Sequence, residues 1–431
     1  MSLEKSYGYQ LFLEFCKIPH ASGKTQQMRE WLKRYADSIC VECEEDEAGN
    51  LLLSKGKPKI CIQAHYDMVH VGDAVEVCIE GEYIKAKNSS LGADNGAALC
   101  VALHLMKELD HFEILITNDE EIGMIGANHL KLKPKSNQIV NVDSEILREI
   151  TIGCAGGVDL LFSFRSLPLL ELEEQLEVYE IQTKGFVGGH SGVDIHKGIQ
   201  NAIVELARFL YENDLPTIAI EGGEKRNSIA VSAKAIFLAS EMPEVPEYFE
   251  VHKANIQPHY KKNLRKVLEF LTLPVVNGVQ RKNNADEVVL SANIGVVNED
   301  NGDIVIQSML RGNATEELKK YQEKLSKWAK GYGADVESLH FYPAWEAENK
   351  EEHLLQQTKI IYQQHGITPQ IVTIHAGLEC GILKNALGVS EIISIGPSIE
   401  YPHSVHERMN IADFLSFETI LKDLIQSFQL T

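Results

Sequence analysis

The chain has 431 residues, 44% of them hydrophobic, and this length exceeds what one compact core usually holds, so two domains are expected. Its formal net charge of −21 argues against a nucleic-acid partner, because phosphates attract a basic surface. No apolar stretch reaches the roughly 20 residues that span a bilayer, and the N-terminus lacks a basic-then-apolar signal layout, so we expect a soluble cytoplasmic protein without membrane contact.

Strand-like and helix-like segments alternate through the first 177 residues. Apolar runs at residues 59–62, 112–116 and 138–142 are typical of strands, and apolar residues recur at helical spacing over residues 95–109. This alternation predicts an α/β fold in which helices cover a mostly parallel sheet.

The pattern changes at about residue 178. The following elements are expected: a strand at 178–183, a helix at 201–211, a strand at 228–239, a charged helical stretch at 251–271, a hairpin around the Asn-Gly pair of 298–302, a helix at 315–330 and a strand at 336–341. Helix, strand and helix then follow from about residue 345. We therefore predict an α+β domain at 178–344, inserted into a first domain formed by 1–177 and 345–431.

Acidic and imidazole side chains follow the strand-like runs of the first domain. In an open α/β sheet, ligands gather outside the carboxyl ends of the strands. Two imidazoles with several carboxylates are a ligand mix suited to zinc or similar divalent ions. The pattern therefore predicts a metal centre, assembled from His65 and Asp67, Asp94, Glu120 and Glu121, Asp143, and His403 after the apolar run at 392–397.

Each cluster also has an ordinary structural interpretation. His65 can be a half-buried histidine at a strand end, Asp94 can be a helix N-cap, and Glu120 with Glu121 can be a solvated acidic turn. Asp143 alone carries little weight. The metal hypothesis depends on the occurrence of all these residues in one chain.

The spacing within the pairs allows a division of roles. His65 and Asp67 project the same way from an extended strand, so one can bind a metal while the other orients it. Glu120 and Glu121 are adjacent and point to different sides. One of them can therefore ligate while the other acts as a general base.

The inserted segment contributes weaker candidates. His190 lies in the glycine-flanked turn 188–192, and Arg226-Asn227 and Arg311 at strand edges could bind a carboxylate. No Gly-x-Ser-x-Gly elbow is present, so a serine nucleophile has no support.

These residues resemble a known family, the co-catalytic zinc peptidases related to aminoacylases and carboxypeptidases, and within it the Xaa-His dipeptidases (aminoacyl-histidine dipeptidase, peptidase D type). The likeness runs nearly end to end. The stretch most specific to the dipeptidase branch is HAGLECG at residues 375–381. The other matching segments are residues 65–69, 91–96, 120–121, 153–157, 188–192 and 395–397.

The resemblance implies a ligand set for two divalent metal ions, with Zn²⁺ expected and Mn²⁺ or Co²⁺ as alternatives. Asp94 would bridge the two ions. His65 and Asp143 would complete one site, and Glu121 and His403 would complete the other.

The resemblance also implies the remaining roles. Glu120 would be the general base, and Asp67 would orient a metal-bound imidazole. His190 would polarise the scissile carbonyl, either in its own chain or across a homodimer, while Asn227 and Arg311 would hold the terminal carboxylate of a short peptide. The first domain would be a catalytic domain with a phosphorylase/hydrolase-like sheet, and the insert would be its lid and dimerisation-type domain.

The implied activity is a metal-dependent dipeptidase, acting on Xaa-His dipeptides by a metal-activated water. A related amidohydrolase on the same scaffold (an N-acyl amino acid deacylase, carboxypeptidase or tripeptidase) and a catalytically silent metal-binding protein are the alternatives. Relatives carry Pro-His-Ser-Pro-Asp-Glu where this chain has Pro402–Glu407 with a second imidazole, His406. The assignment of the ligand to His403 follows from the Pro-His-Ser match.

Overall fold

The computed structural model describes residues 2–165, 167–170, 176–254, 261–282, 287–347 and 352–429. Its helices are α1 (Tyr7–Phe15), α2 (Gln26–Ser38), α3 (Ala93–Glu108), α4 (Ile125–Asn128), α5 (Ala202–Glu212), α6 (Arg265–Thr272), α7 (Thr315–Gly331), α8 (His353–Gln364), α9 (Cys380–Leu387) and α10 (Ile411–Gln429). Within the described ranges, no helix combines the length and apolarity that crossing a bilayer requires.

The strands are β1 (Glu42–Glu45), β2 (Leu51–Lys55), β3 (Cys61–His65), β4 (Val77–Glu80), β5 (Tyr83–Ala86), β6 (Phe112–Thr117), β7 (Gln138–Asn141), β8 (Glu149–Cys154), β9 (Gly156–Phe164), β10 (Leu169–Leu170), β11 (Glu177–Thr183), β12 (Gly189–His190), β13 (Thr217–Gly222), β14 (Ser228–Ile229), β15 (Ala233–Ala239), β16 (Phe249–Lys253), β17 (Lys261–Lys262), β18 (Gly278–Arg281), β19 (Val288–Asp300), β20 (Asp303–Gly312), β21 (Ala334–Tyr342), β22 (Gln370–Ile374), β23 (Glu391–Ser394), β24 (Ile399–Glu400) and β25 (Arg408–Asn410).

The chain divides into two compact units. Unit 1 comprises Met1–Cys154, Trp345–Thr373 and Leu378–Thr431, and unit 2 comprises Ala155–Ala344 and Ile374–Gly377. Strand β9 belongs to unit 2 because it pairs with β20 and β21 of that unit. Unit 2 thus begins at Ala155. The sequence pattern had predicted a later start of the inserted domain, at residue 178.

Unit 1 is built on an eight-stranded sheet with the order β1-β2-β6-β3-β7-β23-β8-β22. The four central strands, β6, β3, β7 and β23, run parallel to one another. Antiparallel partners flank them, with β2 beside β6 and β8 beside β23. The predicted α/β class is confirmed, and its parallel part is the centre of the sheet.

The parallel strands of unit 1 are buried over most of their length, and β7 and β23 are only partly buried at their first residue. Every residue of β3 and β6 is buried, because helices and loops cover strands of this kind on both faces. Residues of α1, α3 and α10 share one hydrophobic core with these strands. The sheet centre is therefore a rigid base, and its strand ends have fixed positions.

Unit 2 contains a nine-stranded sheet with the order β16-β11-β15-β13-β19-β20-β9-β21, to which β18 is added beside β19. Helices α5, α6 and α7 pack with it in a second hydrophobic core. The predicted Asn-Gly hairpin is confirmed, since β19 and β20 pair from Asp300 to Asp303 around Asn301 (φ 49°) and Gly302 (φ 83°). This unit has the α+β character expected of the insert.

Two predicted elements of unit 2 differ from the structure. The helical stretch expected at 251–271 is wrong over its first residues, because Phe249–Lys253 forms β16, which pairs with β11. Residues 255–260 lie outside the described ranges, and the helix is limited to α6. The charged residues of β16 are compatible with a strand because β16 stands at the edge of the sheet. The strand expected at 228–239 is divided into β14 and β15.

Candidate metal centre

The predicted site residues of unit 1 meet at the carboxyl edge of the parallel strands. His65 is the last residue of β3, Glu120 and Glu121 follow β6, and Asp143 follows β7. Because β6, β3 and β7 are parallel neighbours, their carboxyl ends lie side by side. This part of the predicted arrangement matches the structure.

Asp94 and His403 belong to the same cluster, although neither of them directly follows a strand of the central sheet. Residues 91–93 are not a strand, and Asp94 lies in the first turn of α3 with non-helical angles (φ −81°, ψ 109°). Gly92 before it has φ 72°, a value that glycine adopts without strain. His403 lies between β24 and β25 and does not follow β23 directly. Short apolar runs in the sequence do not distinguish such loops from strands.

The carboxylate of Asp94 stands between two imidazoles. His65 Nε2 lies 3.2 Å from Asp94 Oδ1 and 3.3 Å from Asp143 Oδ1. His403 Nε2 lies 3.0 Å from Asp94 Oδ2 and 2.8 Å from Glu121 Oε1. Each oxygen of Asp94 thus faces a different imidazole, and each imidazole also contacts a second carboxylate.

The side chains form three overlapping groups that could each hold a metal ion. In each group the ligand atoms lie within 4.8 Å of one another. The groups are His65 with Asp94 and Asp143, Asp94 with Glu121 and His403, and His65 with Glu120 and Glu121. Asp94 is common to the first two groups, as expected of a residue shared by two cations.

Two carboxylate oxygens test whether cations fit here. Asp143 Oδ1 and Glu121 Oε1 are buried and accept no hydrogen bond of good geometry, although imidazole nitrogens lie close to both. An unsatisfied buried carboxylate oxygen is costly unless a cation compensates it. With imidazole nitrogens and carboxylate oxygens as donors, the site fits zinc or a similar divalent ion.

Without cations, the buried groups of the cluster have raised pKa values and therefore hold protons more readily than exposed groups do. Burial, with the Asp94 charge, raises the pKa of Glu121 to about 7, and burial raises that of Asp143 to about 6. Burial opposes a charge on His403, yet the adjacent carboxylates of Asp94 and Glu121 raise the His403 pKa to about 12. Divalent ions would displace these protons, since metal ligands bind in their deprotonated forms.

Asp67 contacts both the imidazole of His65 and the turn that carries Glu120 and Glu121. It is 1% exposed, and its carboxylate accepts the backbone N–H of Glu120 (2.9 Å), the N–H of Glu121 (3.3 Å) and the hydroxyl of Ser22 (2.7 Å). His65 Nδ1 lies 3.0 Å from the backbone oxygen of Asp67 and 3.5 Å from its carboxylate. The closer partner of the ring is therefore the backbone carbonyl, and the carboxylate chiefly fixes the turn at Glu120 and Glu121.

Glu407 supports the loop that carries Asp94, a contact that sequence reasoning missed. Its carboxylate accepts the backbone N–H groups of Leu91 (2.7 Å), Gly92 (3.1 Å) and Ala93 (2.8 Å). The buried side chain thus caps the start of α3 from a distant segment and complements the helix dipole. The only signal in the sequence was its place at the end of the motif Pro402–Glu407.

Glu379 is the second missed residue. It is fully buried, and it accepts hydrogen bonds from Gln63 and Thr117 of strands β3 and β6. Its signal in the sequence was its position within the HAGLECG stretch.

The predicted residues of unit 2 also lie near one another. His190 Nδ1 accepts the backbone N–H groups of Gly192 (3.3 Å) and Val193 (3.1 Å), so the proton of the neutral ring is on Nε2. A Cβ atom on Gly192 would lie 3.0 Å from Arg311 Nε and 3.1 Å from His190 Cε1. The glycine therefore permits the close approach of these two side chains. The backbone oxygen of Asn227 accepts the N–H of Ser191 (2.8 Å) beside them.

Arg311 is a buried cation. It is 4% exposed, its Nη1 donates to the Tyr342 hydroxyl (2.7 Å), and its Nε has no hydrogen-bond partner in the described part of the chain. Within the described ranges no carboxylate forms an ion pair with Arg311. A buried guanidinium in this state is suited to binding an anionic group of a ligand.

The chain belongs to a peptidase family. Residues 61–427 match Peptidase family M20/M25/M40, which places most of the chain within it. The cytosol non-specific dipeptidase of Escherichia coli (strain K12) is 32% identical, over 97% of this chain and 96% of that protein. These findings confirm the resemblance that the motifs indicated, and the protein is a metallopeptidase by family.

Solved structures agree with this assignment. The aminoacylhistidine dipeptidase from Vibrio alginolyticus is 26% identical, with a TM-score of 0.76 over 99% of this chain and 98% of that chain. A tripeptidase from Staphylococcus aureus shares the fold at 16% identity and a TM-score of 0.65, over 99% of this chain and 98% of that chain. The predicted fold class is thereby confirmed.

Replacement of Glu407 tests the support of the Asp94 loop. In Glu407→Gln an amide NH₂ replaces one of two accepting oxygens and faces backbone N–H groups, so buried donors lose their acceptor. We expect the free energy of unfolding to fall by about 1–3 kcal/mol, measured by urea denaturation. The exposed Glu82→Gln in the same unit is the control. Equal stability of both variants and the wild type would contradict the role given to Glu407.

Proposed function

We propose that the protein is a cytoplasmic, metal-dependent dipeptidase in which two divalent ions share the carboxylate of Asp94. The observation that carries this proposal is the position of Asp94 between His65 and His403, with a second carboxylate at each imidazole. Membership of the M20/M25/M40 peptidases and the names of the relatives support peptide hydrolysis.

The proposed substrates are dipeptides, with Xaa-His dipeptides among them. One relative is named a non-specific dipeptidase and the other an aminoacylhistidine dipeptidase. A dipeptidase of broad range that accepts C-terminal histidine is compatible with both names. A deacylase of N-acyl amino acids is the competing activity, because it needs the same metal chemistry.

The proposed ligand set follows the geometry of the cluster. Asp94 would bind both ions, His65 and Asp143 the first, and Glu121 and His403 the second. Zn²⁺ is the proposed metal, since it favours imidazole and carboxylate ligands at low coordination number, and Mn²⁺ or Co²⁺ could replace it. Bound there, the ions supply an acidified water and polarise the substrate carbonyl.

Glu120 is the proposed general base. It directly precedes Glu121, so it is held beside the centre without being needed as a ligand in the proposed set. Burial and the Glu121 charge raise the pKa of Glu120 well above its usual range, so its carboxylate has a higher proton affinity than that of an exposed glutamate. Its carboxylate would take the proton of the attacking water and return it to the nitrogen of the leaving amine.

The residues of unit 2 are proposed to bind the substrate, in the same chain or across a homodimer. His190 carries its proton on Nε2 and can donate to the oxygen of the scissile carbonyl. Arg311, a buried cation without a carboxylate partner among the described residues, would bind the C-terminal carboxylate of the dipeptide together with Asn227. Recognition of this terminus limits the substrate length on that side of the scissile bond.

A substrate panel tests the proposed activity. The purified protein, supplied with Zn²⁺, Mn²⁺ or Co²⁺, should release amino acids from dipeptides, including histidine from β-alanyl-histidine. N-acetyl amino acids, which lack the free α-amino group of a dipeptide, should be cleaved about 100-fold more slowly or not at all if the substrates are those named for the relatives. Chelation should abolish turnover and metal addition should restore it. Preferential cleavage of N-acetyl amino acids would identify a deacylase, and no cleavage of any compound would indicate a silent homologue.

Glu120→Gln tests the proposed base. The variant should retain both metal ions, because the proposed ligands are intact, while kcat on a dipeptide falls by about 10²–10⁴-fold. Metal content by elemental analysis and steady-state rates give the two readings. The exposed Glu47→Gln is the matched control. A Glu120→Gln enzyme with wild-type kcat would exclude Glu120 as the base.

The choice between His403 and His406 is tested by metal content. His403→Ala should bind about one equivalent fewer of Zn²⁺, because Nε2 of His403 faces Asp94 and Glu121. His406 belongs to none of the three ligand groups in the described part of the chain, so His406→Ala should bind as much Zn²⁺ as the wild type. The reverse pattern would transfer the ligand role to His406.

A further inference from the structure

Beneath the centre, Glu379 holds a buried carboxylate that the proposed mechanism does not use. It directly precedes α9 and is 0% exposed. Its Oε2 lies 2.6 Å from Gln63 Nε2 and 2.6 Å from Thr117 Oγ1. Its Oε1 is buried without a hydrogen-bond partner among the described residues. One oxygen is thus anchored, and the other is left unsatisfied.

A row of buried polar side chains continues from Glu379 across the central strands. Gln63 Oε1 accepts from Asn141 Nδ2 (2.6 Å), and Asn141 Oδ1 accepts from Ser394 Oγ. These residues belong to β3, β7 and β23, and Thr117 belongs to β6, so the row joins all four parallel strands. Each side chain is fully buried. Hydrogen bonds between buried side chains of neighbouring strands fix the strands relative to one another.

This row lies directly behind the proposed ligands. Gln63 is two positions before His65 on β3, so the two side chains project from the same face of the strand. Asn141 is likewise two positions before Asp143, and it accepts the backbone N–H of Asp143 (3.2 Å). The row therefore contacts the backbone that carries the proposed ligands.

In the described part of unit 1, the carboxylate of Glu379 forms no ion pair with a Lys or Arg side chain. Burial raises its pKa to about 7 against the opposing influence of His65. A buried carboxylate without a counter-ion is strongly unfavourable. Divalent ions at the centre would provide the missing positive charge and favour the ionised form.

We propose that Glu379 is a positioning residue of the metal centre. Its anchored oxygen holds the row that sets the ends of β3 and β7, and its negative charge strengthens the binding of divalent ions. This inference rests on the proposed metal centre and adds to the residues that the resemblance implied.

Glu379→Gln separates the charge from the hydrogen bonds. The amide oxygen can still accept from Gln63 and Thr117, while the buried negative charge is removed. The dissociation constant for Zn²⁺ should rise about 10–100-fold, the range typical of residues that support metal ligands. The melting temperature of the metal-free variant should equal or exceed that of the wild type, because an uncompensated buried charge is gone.

Zn²⁺ alone serves as the probe, with affinity measured by competition against a chromophoric chelator and stability by thermal unfolding of the metal-free chain. Glu379→Asp, which keeps the charge, should bind Zn²⁺ more tightly than Glu379→Gln. A purely structural role predicts the contrary: a lower melting temperature for metal-free Glu379→Gln and an unchanged dissociation constant.

The outcomes distinguish this inference from the function on which it rests. Wild-type Zn²⁺ affinity in Glu379→Gln, or failure of that variant to fold without metal, overturns the role of the Glu379 charge and leaves the metal centre intact. A Glu379→Asp variant that binds no better than Glu379→Gln overturns it as well. A wild-type chain that binds no Zn²⁺ overturns the proposed centre itself.

Discussion

The concentration of buried carboxylates at one edge of a parallel sheet is the constraint on which the rest of the structure depends. Asp94 approaches both Glu121 and Asp143 more closely than like charges would in the absence of cations or protons. Two imidazoles among the described residues, His65 and His403, lie between these carboxylates. The surrounding fold therefore has to hold repelling groups in place, and the buried parallel strands and their polar network give it the rigidity to do so.

Support for the centre comes from residues that bind no metal in the proposed scheme. Asp67 fixes the turn at Glu120, Glu407 fixes the loop before Asp94, and Glu379 anchors the strands behind His65. All three are buried carboxylates that accept backbone or side-chain hydrogen bonds. The buried carboxylates at this site thus fall into two sets. One set would bind the proposed ions, and the other stabilises the backbone segments that carry the ligands.

The sequence predicted the strand-end residues well because their signal is local. An apolar run followed by an acid or histidine defines His65, Glu121 and Asp143, and the parallel order of β6, β3 and β7 brings them together. Asp94 and His403 were found as candidates, but their loops could not be placed, because their positions depend on contacts distant in sequence. The strand β16 was expected to be helical because its charges resemble those of a solvated helix. Polar residues inside apolar strands, such as Gln63, were overlooked because no periodic pattern marks a buried network.

The capping of α3 by Glu407 has a consequence for when the active centre can exist. The two partners are 314 residues apart in the chain at Ala93, and His403 comes from the same late segment. During synthesis on the ribosome, strands β2, β3, β6 and β7 emerge from the exit tunnel long before this segment, whereas the central strand β23 is made just ahead of it. The proposed ion site is therefore complete only once the segment with His403 and Glu407 has been made, which would keep a shorter nascent chain from hydrolysing peptides.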